Sequence, residues 1–142
     1  MKQCCVKSKC CSSRGRWLGR TVFGCALAGM GVLHFAKPTT VESIVPPQLP
    51  GSARLYNYGS GIAEILIGVA LLPRRSAATA ARAAKLLLLA VWPANFYHAY
   101  LDLVNPGEGK RSAGKWIYHL LRQPAQVALM KATDKIARAH RS

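Results

Sequence analysis

Glu64, Asn95, Arg122 and Gln126 are the side chains best placed for chemistry, because each interrupts an otherwise apolar stretch. A carboxylate and a guanidinium in such surroundings can pair or pass a proton, and the two amides can donate and accept hydrogen bonds beside them. An ionisable group in hydrocarbon costs on the order of a few kcal/mol, so it persists only with a partner or in a polar cavity. Glu64 and Arg122 are therefore expected to form an intramembrane ion pair. Asn95 and Gln126 would complete a polar pocket able to take a quinone head group or another small amphiphile, and Glu64 is a candidate proton relay. His34 is expected to lie at the pocket's shallow edge and to hydrogen-bond a loop carbonyl. His98 is the one candidate partner at its depth and His119 is read near the outer entrance of the fourth run, but with no cysteine or carboxylate read at ligand spacing no metal site is expected.

The elements that would position these groups are apolar runs long enough, or nearly so, to cross a bilayer. The first covers residues 17–36, the second 56–72, the third about 78–101 and the fourth about 115–131. The fourth mixes Arg122, Gln123 and Gln126 with its apolar residues, so a surface helix is its rival reading. At about 1.5 Å rise per residue, Glu64, Asn95, Arg122 and Gln126 all fall roughly 9–16 Å below one membrane boundary. The expected fold is all-α: a four-transmembrane-helix bundle with both termini cytoplasmic.

Charge placement supports that orientation. The chain carries a formal charge of +15, with only five acids. Residues 1–20 hold Lys2, Lys7, Lys9, Arg14, Arg16 and Arg20, and residues 73–85 hold Arg74, Arg75, Arg82 and Lys85, all without an acid. The connectors around 37–55 and 102–115 are nearly balanced, and the positive-inside rule then puts the two basic segments in the cytoplasm. A nucleic-acid partner, the usual inference from such a basic chain, is excluded by the same distribution, because the charges flank apolar runs and line no single face. The lipid bilayer is the expected partner, with another membrane or redox protein as a further one.

Smaller features refine the bundle. Gly24, Ala28 and Gly31 share one helical face, and Gly61 and Gly68 share another, spacing that lets helix backbones approach closely in lipid. Pro93 and Pro124 each remove an intrahelical hydrogen bond and are read as kinks, freeing the carbonyls of Leu89 and Leu120. Three regions result: a basic, cysteine-rich, disordered cytoplasmic tail over 1–16, the membrane domain over 17–133, and a basic cytoplasmic tail over 134–142. Cys4, Cys5, Cys10 and Cys11 form a CC-x4-CC pattern in the first tail, which lacks zinc-ligand spacing and, in a reducing compartment, a disulfide role. The first run is read as a retained span, since it continues apolar through Val32, Leu33 and Phe35 past the small residues a signal peptidase would cut.

Taken together, the strings GVLHFAKPTTVESIVPPQLP, GSGIAEILIGVALLP, VWPANFYHAY and LLRQPAQ resemble the DoxX family of small four-helix membrane proteins. The marks are Gly31, His34 and Phe35, then Ile44-Val45-Pro46 with Leu49-Pro50, Gly61 and Glu64, Pro93 and Asn95, and Arg122, Pro124 and Gln126. The resemblance covers residues 20 to 130. Gln123 departs from it, standing where that family usually has an apolar residue. It implies a multipass protein of a bacterial inner membrane, with some relatives linked to redox chemistry: a thiosulfate:quinone oxidoreductase subunit, and a membrane partner of sulfurtransferase and superoxide dismutase in mycobacteria. Fold alone does not carry those activities over. The expected function is a non-catalytic subunit or scaffold with an intramembrane polar pocket and no obligatory cofactor. Two alternatives stay open: a quinone-linked membrane oxidoreductase or its quinone-docking subunit, and a small transporter.

Overall fold

The computed structural model describes residues 3–104 and 112–140, with side chains from residue 15 onward. Five helices follow in order: α1 Gln3–Ala36, α2 Pro38–Glu42, α3 Ala53–Ala70, α4 Ala77–Leu103 and α5 Ala113–Ala139. No strand occurs among the described residues, so the all-α expectation holds. Helix α1 starts at Gln3, so helix runs through residues read from sequence as a tail. Cys4, Cys5, Cys10 and Cys11 lie outside the described side chains.

Local chemistry sets the boundaries. Lys37 precedes a proline and leaves helical geometry at φ −135°, which ends α1 and lets Pro38 open α2. Ser52 caps α3 by accepting from the Leu55 amide at 3.2 Å, and Ser112 caps α5 by accepting from the Lys115 amide at 3.3 Å. Just before α3, Gly51 takes φ +102°, a conformation only glycine adopts without strain. At the far end Pro73 stops α3, and the Ser76 hydroxyl donates to the freed Ala70 carbonyl at 2.6 Å.

Helix α1 packs chiefly on α3 and α4 chiefly on α5, and α3 against α4 joins the two pairs. The two small-residue stripes meet: a methyl group added at Gly24 would lie 2.7 Å from the Gly68 carbonyl oxygen, and one at Gly31 2.6 Å from that of Gly61. Backbones this close bring dispersion and weak Cα–H contacts into play without help from large side chains. At the end of the bundle that carries Arg20 and His140, Leu71, Ala80, Ala81 and Ala137 form a small apolar core flanked by Phe23, Leu27, Ile67 and Ile136.

Among the described residues, two helical segments, Gly15–Ala36 and Ala77–Leu103, are long and apolar enough to cross a membrane, where four spans were expected from sequence. Helices α3 and α5 fall short because Asn57 and Glu64 in the one, and Arg122, Gln126 and several lysines in the other, lower their average hydropathy. Pro93 and Pro124 both sit inside continuous helix.

Candidate functional site

The expected Glu64–Arg122 pair does not form. Polar groups from the four long helices gather into two clusters, one between α1 and α3 and one between α4 and α5. Within these clusters Glu64, Asp102 and Arg122 each find a partner on the helix that packs most closely against their own.

In the first cluster His34 of α1 meets Asn57, Ser60 and Glu64 of α3. All but Ser60 are buried. The Asn57 amide nitrogen donates to the His34 carbonyl at 3.2 Å, which turns Asn57 Oδ1 toward His34 Nδ1 at 2.9 Å. His34 Nδ1 also lies 3.0 Å from the Asn57 carbonyl oxygen. Both oxygens only accept, so Nδ1 carries a proton and the other ring nitrogen is left for Glu64. Nε2 faces Glu64 Oε2 at 3.5 Å, and that oxygen has no hydrogen-bond partner among the described residues. His34 was expected to bond a loop carbonyl. It bonds the body of α3 instead, because Gly61 lets the helices approach until a Cβ there would touch His34 Cβ at 2.8 Å.

The second cluster centres on Asp102. Its Oδ2 accepts from His119 Nε2 at 3.0 Å and faces His98 Nε2 at 3.3 Å, and its Oδ1 pairs with Lys115 Nζ at 3.0 Å. Arg122 donates through Nη1 to His98 Nδ1 at 3.3 Å and to the Tyr118 hydroxyl, and through Nη2 to Asn95 Oδ1 at 2.6 Å. Its guanidinium carbon also stands 5.4 Å from the Tyr118 ring centre, within cation–π range. Arg122 therefore binds Asn95, as a shared polar site required, but Asn95 belongs to α4 and the site excludes Glu64.

Gln126 serves a third purpose. It donates to the Leu88 carbonyl at 2.8 Å, one residue before the Leu89 carbonyl that Pro93 leaves without its helical donor. Gln123, the departure noted in sequence, accepts from Trp92 Nε1 at 2.8 Å and so ties α5 to α4. Trp92 is thus a hydrogen-bonding packing residue.

Sequence reasoning missed Asp102, and the signal was present: His98 and Asp102 are four residues apart and share a helical face. Ligand atoms of His98, Asp102 and His119 lie within 4.8 Å of one another, a set able to hold a metal ion. Two features oppose a cation there. Lys115 and Arg122 border the triad, and His119 Nε2 is turned as a donor onto the Asp102 carboxylate. The arrangement reads as a carboxylate held by His119 and Lys115 with His98 beside it.

With this geometry in hand, comparison with known proteins gives one family. A model described as a domain of unknown function, DUF8561, matches residues 23–137. The chain belongs to that family. The match covers α2, α3 and α4 entirely, the C-terminal part of α1 from residue 23 and nearly all of α5, so it includes every residue of both clusters. No curated protein and no solved structure matches the chain. The DUF8561 match overturns the DoxX resemblance drawn from sequence. The shared marks have general physical causes: glycines where helices touch, prolines in long helices, and polar side chains turned inward. Any small bundle of apolar helices meets those needs with the same residue types.

Proposed function

We propose that the chain is a multipass integral membrane protein, its four long helices spanning the bilayer with both termini cytoplasmic, and that it acts as a non-catalytic subunit or scaffold. The carrying observation is the inverted distribution of side chains. Exposed positions include Leu55, Ile62, Leu66 and Val69 on α3 and Ile117, Leu120, Leu121 and Val127 on α5. Buried positions include Asn57, Glu64, Asn95, His119, Gln126 and Thr133, and five of the eight buried apolar residues are alanines. Water would favour the reverse. Lipid favours this arrangement, since small residues pack the helices and polar side chains satisfy one another inside. The low average hydropathy of α3 and α5 comes in part from buried Asn57, Glu64, His119 and Gln126, which lipid would not meet.

The scaffold reading rests on closure. Asp102 is met by Lys115 and the two histidines, and Arg122 donates to three acceptors, so both charges already have partners within the chain. Membrane extraction and topology mapping test the proposal. The protein should resist carbonate extraction, a reporter at the C-terminus should be cytoplasmic, and one inserted in the 43–52 connector should be external. Release into carbonate, or reporters on the same side, would overturn it.

A further inference from the structure

At the basic end of the bundle a cavity of about 240 Å³ is lined by Arg16, Trp17 and Arg20 of α1, Arg74 of the α3–α4 turn, and Ala139 and His140 at the end of α5. From its residues we infer that this cavity binds a phosphate-bearing anion.

Arg20 carries the argument. It is only 4% exposed, yet its partners are neutral: Nη1 donates to His140 Nε2 at 3.0 Å and Nη2 to the Leu72 carbonyl at 2.9 Å. His140 is held as that acceptor because its Nδ1 donates to the Ile136 carbonyl at 3.0 Å. Arg20 Nε is buried with no hydrogen-bond partner among the described residues. A guanidinium taken out of water without a counter-charge is costly, and here a donor is left over. The chain does not supply the anion from its described residues: Glu42 pairs with Arg54, Glu64 with His34, Asp102 with Lys115 and the two histidines, and Asp134 with Lys85. Arg16 and Arg74 add two exposed guanidinium groups to the same cavity.

Three guanidinium groups lining one small space suit phosphate oxygens, which such groups contact through paired N–H donors. The volume is below the roughly 300–1,000 Å³ of pockets for drug-sized ligands and ample for a phosphate group. Trp17 lines the same cavity and is 57% exposed, the amphipathic ring favoured at the head-group level of a bilayer. An anionic lipid head group and a free phosphate share this chemistry. The lipid source rests on the membrane reading above; the phosphate chemistry does not.

The test uses the full chain purified in mild detergent. Native mass spectrometry would follow retention of added phosphatidylglycerol against phosphatidylcholine, and thermal unfolding would follow added inorganic phosphate. Phosphatidylglycerol should be retained over phosphatidylcholine, and the double variant Arg16→Gln/Arg74→Gln, altered only at exposed side chains, should lose about tenfold or more of that retention. Arg20→Lys, which keeps the charge and loses the fork, should weaken it as well. Saturable stabilisation by inorganic phosphate that also displaces the lipid would assign the site to free phosphate groups; retention of the lipid alone would assign it to head groups. Equal retention by the wild type and the double variant, or no response to either probe, would overturn the inference. Because the phosphate arm needs no bilayer, failure of the membrane reading would leave its result interpretable.

Discussion

The two helix pairs bury polar groups by opposite means. Between α1 and α3 the backbones nearly touch at Gly24–Gly68 and Gly31–Gly61, and the polar cluster is built from side chains that reach no farther than Glu64. Helix α4 contains no glycine and α5 only Gly114 near its start, and these two are joined by long reaches: Arg122 to Asn95, Gln126 to Leu88, Trp92 to Gln123 and Lys85 to Asp134. Close approach makes the first pair depend on small volume, and long side chains make the second depend on individual hydrogen bonds. Overpacking should therefore break one pair and truncation the other.

The largest effect is expected from Gly68→Leu, since a Cβ there already meets the Gly24 carbonyl at 2.6 Å and the Ala28 nitrogen at 2.7 Å. Overpacking of this kind costs about 1–3 kcal/mol or more, and backbone atoms cannot turn aside. Thermal unfolding in detergent should show a large loss for this variant and little change for Gly114→Leu, whose added Cβ would meet only Ser112 Oγ at 3.7 Å.

Next come the charged partners. Double-mutant cycles on thermal stability should give a coupling of roughly 0.5–3 kcal/mol for Glu64 with His34 and for Arg122 with Asn95, with none for Glu64 with Arg122. A sizeable Glu64–Arg122 coupling would mean that the clusters are one network, and the contrast between the pairs would fail.

Gln126→Leu removes one neutral hydrogen bond while keeping volume, and should cost about 0.5–1.5 kcal/mol. Placing the same substitution in a Pro93→Ala background should cost less, because alanine restores the helical donor to the Leu89 carbonyl beside Leu88.

The smallest effect concerns Lys85 and Asp134. The hydrogen bonds from Lys85 Nζ, at 2.8 and 3.0 Å, hold the Asp134 carboxyl below its usual range. A carboxyl that is more acidic folded than unfolded adds stability above its unfolded pKa and loses it as pH falls through the folded one. Thermal stability should therefore drop on acidification below about pH 4 by slightly more in the wild type than in Asp134→Asn. Parallel pH profiles would remove this contact from the comparison.

Much of this organisation is written in the linear sequence. The glycine spacing in α1 and α3, the prolines, the serine caps and the inward polar residues all follow from local rules, and the all-α class follows with them. Partner choice was not legible. Glu64 and Arg122 are the obvious opposite charges at matching depth, but depth is a coordinate along a helix, and pairing also depends on which faces meet. Asp102 was readable from its spacing to His98, whereas His119 joins it across sixteen residues of chain only because α4 and α5 pack together.

The sequence by itself determined that these helices carry apolar surfaces interrupted by polar groups, because composition and periodicity are local properties. Only the tertiary structure decided that Glu64 goes to His34, that Arg122 goes to Asn95 and His98, and that Arg20 is buried with no anion among the described residues to neutralise it. The physical reason is rotation about the helix axis: hydropathy fixes how deep a residue lies, and packing fixes which neighbour it faces.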